Sequence, residues 1–268
     1  MSILQSRNPA MQVLQSEQAF GVERAKTMTI GGTVTATGIL LSIVATVGIL
    51  TWQSINSTWQ SSGGNMPGWV MPAVIGSFIG GLIVSFVIYG KPKLAPYIAP
   101  VHAVLEGLFV GAATFFIPMQ FLPMAADGSN PGAMIALQAA TATFAVTGVM
   151  LLGYATGVIR VGPLMSKIMI TALLGLVGYT ALIWILGFFG VGIWNGYADT
   201  GIMGIGFTGL CIALASMFLI LDFQYIEGGV KSGAPKYMEW VGAWGLMVTL
   251  VWLYIELLRL LSKLQSRD

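Results

Sequence analysis

The stretch MTIGGTVTATGILLSIVATVGILTW, Met28–Trp52, decides the fold class. A membrane-spanning helix needs roughly 20 consecutive apolar residues, and this run supplies them without a charge. No Asp, Glu, Lys or Arg occurs from Thr27 to Gly90, a length too great for one span. The polar segment Gln53-Ser54-Ile55-Asn56-Ser57, the pair Gly63-Gly64 and then Pro67 divide it. A second span is therefore expected over Trp69–Tyr89. Working outward, five further runs qualify: Tyr97–Phe121, Ala133–Tyr154, Ile168–Phe189, Gly201–Phe223 and Trp240–Leu264. Only helices and closed barrels satisfy backbone groups in lipid. Barrel strands are shorter and alternate, so these continuous runs predict an all-α, seven-transmembrane-helix bundle.

Composition agrees. Of 268 residues, 56% are hydrophobic and 8% charged, against about 25% charged in a soluble domain. The net charge of +2 and the lack of a dense basic run exclude a nucleic-acid partner; the lipid bilayer is the partner implied. The single cysteine, Cys211, rules out an internal disulfide framework and reads as a packing residue. With one His and one Cys no zinc cluster is available, and no phosphate-binding loop or G-x-S-x-G elbow occurs. Neither an enzyme nor a cofactor is expected. Residues 1–27 read as a cytoplasmic or interfacial segment, 28–264 as the transmembrane domain and 265–268 as a short tail. Residues 1–26 lack an apolar signal-peptide core, so the first span is expected to act as its own anchor. Asn8-Pro9 resembles a helix start, with a short helix running to Lys26.

Lys and Arg set the orientation. Arg7, Arg24 and Lys26 precede the first span. Lys91 and Lys93 lie between spans two and three, Arg160 and Lys167 between four and five, Lys231 and Lys236 between six and seven. The other loops carry only Asp127 and Asp199. This predicts a cytoplasmic N-terminus. Seven crossings then place Arg259, Lys263 and Arg267 on the far side. Either the tail is an exception, or the last span does not fully cross.

Small residues at four-residue spacing, Ala103/Gly107/Gly111 and Ser77/Gly81/Ser85, predict close helix packing. Chemistry belongs where polar groups meet apolar surroundings. His102 and Glu106 share a helix face and read as a satisfied polar pair or as a proton- or cation-linked element. Asp222 ends the uncharged run of span six. Glu256 lies inside span seven with Arg259 and Lys263 on its face, which must point at the bundle interior or a wet cavity. Should Asp222 and Glu256 meet, both cannot ionise cheaply; they would share one proton and titrate as a unit. The same oxygens would suit calcium.

The segments LILDFQYIE (219–227), GAPKYMEW (233–240), LVWLYIELLRLL (250–261), SRNPA (6–10) and LEGLFVG (105–111) resemble the Bax inhibitor-1 family, in its bacterial YccA-like branch. The resemblance implies seven helices with the last one central, in a bacterial inner membrane. It implies a proton-sensitive calcium leak, with Asp222 and Glu256 matching the acidic pair that senses protons, and a basic gate residue after helix two, where Lys91 or Lys93 stands; Arg259, beside Glu256, is a further candidate gate partner. Eukaryotic members are implicated in suppressing cell death. The YccA-like branch also implies another reading: a non-transporting regulator that binds a membrane-bound ATP-dependent protease through its N-terminal segment.

Overall fold

The computed structural model describes residues 27–123 and 130–267. The helix expected from Asn8 to Lys26, the proposed protease handle and Asp127 fall outside them. The described residues form seven long helices: α1 Ile30–Ser61, α2 Val70–Gly90, α3 Ala95–Phe121, α4 Gly132–Ala155, α5 Pro163–Phe188, α6 Ile202–Lys231 and α7 Met238–Gln265. Each is long and apolar enough to cross a membrane.

Helix ends depart from the hydropathy reading in two places. The polar run Gln53–Ser57 does not end α1. Ser57 and Thr58 turn their hydroxyls back onto Ser54 O at 3.2 and 3.0 Å, so their polarity is absorbed within the helix. The chain reverses at Gly63 and Gly64, whose φ of +67° and +98° lies where only glycine sits without strain. Likewise α6 does not end near Asp222. It runs nine residues further, which puts Asp222 about 13 Å inside the helix end.

α7 is the axis of the bundle: 61% of its most apolar window is buried, against 6% for α5. Two stripes explain this. Ala243, Met247, Val251 and Ile255 recur every four residues and pack with Ala36, Leu40 and Val44 of α1 and Ala99 and Ala103 of α3. Leu250, Leu253, Leu257 and Leu258 pack with Ile135 and Ala139 of α4 and Ala215 and Leu219 of α6. α5 sits at the edge against α6 and buries only Met169.

The small-residue face of α3 does what its spacing predicts. A Cβ at Gly107 would stand 2.7 Å from Val47 Cβ, and one at Gly111 2.6 Å from Thr51 Cβ, so α1 and α3 touch backbone to backbone. A Gly111→Leu variant is expected to lose about 1–3 kcal/mol through overpacking, read as a lower melting temperature in detergent. Gly38→Leu, where a Cβ meets nothing within 4 Å, is expected to melt with the wild type.

Candidate functional site

α7 carries four charged residues, Glu239, Glu256, Arg259 and Lys263, and each is tied to a neighbouring element or to another of the four. Glu239, 4% exposed, accepts from Thr29 N at 3.0 Å and Thr29 Oγ1 at 2.8 Å. It thereby holds the start of α1 against the start of α7. Met28 N donates to Ala234 O at 2.7 Å beside it.

At the opposite end Glu256 is 3% exposed, and its Oε2 accepts from Arg259 NH1 at 2.6 Å. The Arg259 guanidinium stacks 4.6 Å from the centre of the Tyr197 ring, on the α5–α6 connection. Tyr197 OH and Thr180 Oγ1 are 2.9 Å apart. One turn beyond, Lys263 is fully buried and donates to Gly196 O, Gly204 O and Thr208 Oγ1. In the same connection Asp199 accepts from Gly201 N at 2.8 Å and Trp194 Nε1 at 3.1 Å, and these bonds hold its carboxyl below the usual carboxylate range.

These contacts account for two of the three C-terminal cations. α7 spans about 42 Å at 1.5 Å per residue, more than the ~30 Å hydrocarbon core. Arg259 and Lys263 are not loop cations; both are consumed inside the protein.

Asp222 and Glu256 are not brought together. Asp222 Oδ1 would be 3.7 Å from a Cβ at Gly245, and the carboxyl also meets Thr249. Glu256 lies about 10–16 Å further along α7 from those positions. Cys211, eleven positions before Asp222 on α6, lies within electrostatic reach of Glu256. The cause is hairpin register. α6 continues to Lys231 and α7 begins at Met238, so position 222 faces 245–249. A single hydrogen bond between the two carboxyls, or one calcium ion held by both at 2.3–2.6 Å, does not fit this arrangement. Asp222 Oδ2 is sealed from solvent and has no hydrogen-bond partner.

His102 and Glu106 do share a face, with Nδ1 and Oε2 3.9 Å apart, too far for a hydrogen bond. The direct partner of His102 is Ser85 of α2, 3.2 Å from Nε2. The Trp244 ring of α7 packs edge-on 6.0 Å away. Lys91 and Lys93 are exposed at the α2–α3 turn, and among the described residues neither makes an ion pair.

Glu239 and Tyr197 were not singled out by sequence reasoning. Lys263 was placed with Glu256 and Arg259 on the inward face by its seven-residue spacing, but its oxygen partners carried no local signal.

Removing Arg259 strands a buried carboxylate. Arg259→Met is expected to destabilise the protein by about 3–5 kcal/mol, and the double variant Arg259→Met with Glu256→Gln to recover much of that loss. Melting temperatures of the two variants check it.

The Bax inhibitor 1 like family matches residues 8–266. No curated protein and no solved structure matches the chain. A match running nearly end to end, over seven membrane-span candidates packed about the last of them, means that this chain belongs to the Bax inhibitor 1 like family.

Proposed function

We propose that the protein is a proton-sensitive cation leak of the bacterial inner membrane, with its N-terminus in the cytoplasm and calcium as the transported ion. Asp222 and Glu256 act in it as two separate acidic stations along α7. The observation that carries this reading is Asp222 Oδ2, buried against the central helix with no partner.

An ionised carboxylate in such a place needs company, since burying an uncompensated charge is costly. A passing cation supplies it; a proton removes the need. With Asp222 neutral, α6 and α7 stay packed where its carboxyl meets Gly245 and Thr249. With Asp222 charged, this contact favours the entry of water and cations. Glu256 is already neutralised by Arg259, so an arriving cation competes with that guanidinium. Two carboxylates at different depths suit stepwise passage better than one tight site, because conduction needs binding weak enough to release.

The test is calcium-dye flux in liposomes from pH 5 to 8. Wild-type flux is expected to rise with pH as Asp222 ionises. Asp222→Asn is expected to flatten that dependence. Glu256→Gln is expected to lower the flux and keep the dependence. Flux equal to that of protein-free liposomes overturns the reading and leaves a regulatory protein without transport. Loss of pH dependence in Glu256→Gln but not in Asp222→Asn also overturns it.

A further inference from the structure

Lys263 is the least expected charge in the molecule. Its side chain is fully buried, and its ammonium donates to Gly196 O at 2.7 Å, Thr208 Oγ1 at 2.9 Å and Gly204 O at 3.0 Å. An ammonium has three N–H donors, and each oxygen takes one. The Phe121 ring centre lies 5.8 Å from Nζ, its face adding attraction for a cation. None of the three acceptors is a carboxylate.

The oxygens do not depend on Lys263 for their positions. Gly196 is held by its own N–H, which donates to Tyr179 OH at 3.0 Å. Phe207 packs against Tyr179, Trp194 and Tyr197, with ring centres 5.0–5.9 Å away. Thr208 donates its hydroxyl to Gly204 O at 2.9 Å, which turns a lone pair toward the lysine. Both carbonyl-bearing residues are glycines because the approach is close: a Cβ at Gly196 would stand 2.7 Å from the Phe207 ring, and one at Gly204 would overlap the Asp199 backbone.

We propose that Gly196 O, Gly204 O and Thr208 Oγ1 form a monovalent-cation cage that the chain fills with its own Lys263 ammonium, a tethered ion closing this end of the bundle. Neutral oxygens at these distances suit an ammonium-sized ion. Calcium takes six to eight oxygens at about 2.3–2.6 Å, which this cage does not offer. The cage lies one to two turns beyond Glu256, so an ion leaving that station meets a fixed positive charge. The closing role rests on the leak reading; the cage does not.

Lys263→Leu keeps the side-chain stem to Cδ and vacates the positions of Cε and Nζ. Purified in detergent, it is melted in ammonium chloride and in choline chloride at equal ionic strength. The variant is expected to melt several degrees higher in ammonium, saturably, while the wild type melts alike in both salts. Equal melting of the variant in the two salts overturns the proposal. Lys263→Ala, with a larger vacancy, is the second variant. If neither melts cooperatively in choline, ammonium must restore a cooperative transition; failure of both variants in both salts also overturns it. In liposomes Lys263→Leu is expected to leak severalfold faster than the wild type. An unchanged leak removes the closing role. Absence of wild-type flux removes the leak reading and leaves the salt dependence of melting to judge the cage by itself.

Discussion

A charged side chain facing hydrocarbon at the bilayer centre costs at least about 2.5–3.5 kcal/mol on insertion scales, and three such residues occupy one face of α7 within eight positions. The rest of the bundle follows from that cost. α7 has to be enclosed, and the remaining two faces of the helix carry the stripes that enclose it: Ala243 to Ile255 toward α1 and α3, Leu250 to Leu258 toward α4 and α6. With three charges gathered on the axis, the edge helix α5 carries a single charge, Lys167, near its start and is otherwise free to be apolar. Leu174, Trp184 and Phe188 of α5 are exposed, as a lipid-facing helix requires. The pattern inverts the usual amphipathic helix: polar residues mark the inside.

The spans were legible because hydrocarbon imposes a length and a composition on every helix. The α3 face was legible because small residues at Ala103, Gly107 and Gly111 have few other uses in lipid. Helix ends were less so. Hydropathy falls at Gln53–Ser57, yet a helix ends where its backbone bonds end, and serine and threonine hydroxyls mask that point by bonding to the preceding turn. A different cue misled at Asp222, where the first charge after a long apolar run looked like a terminus.

Register across the α6–α7 turn had the largest consequence for the site: with either set of helix ends, Asp222 faces α7 well before Glu256. Which residues of an antiparallel hairpin face one another depends on where both helices stop, and a shift of several residues moves a partner by a turn or two. Composition identified Asp222 and Glu256 as misplaced acids; it carried no information on their register. Glu256 and Arg259, by contrast, are three apart on one helix, and their pairing needed nothing beyond helix geometry. Local spacing was readable. Spacing across the Ser232–Tyr237 turn was not.

The two ends of α7 are closed by opposite charges acting on backbone groups of other elements. At one end the Glu239 carboxylate takes the N–H and hydroxyl of Thr29 at the start of α1, where unsatisfied backbone donors favour an anion. At the other the Lys263 ammonium takes two carbonyls at the α5–α6 connection and the start of α6. Each clamp joins the axis to a different outer helix, and neither involves an acid–base partner. An ion pair would depend on the protonation of two side chains; each of these clamps depends on that of one. Between these two clamps the Asp222 carboxyl meets Gly245 and Thr249 of α7, its Oδ2 has no hydrogen-bond partner, and neither clamp touches it.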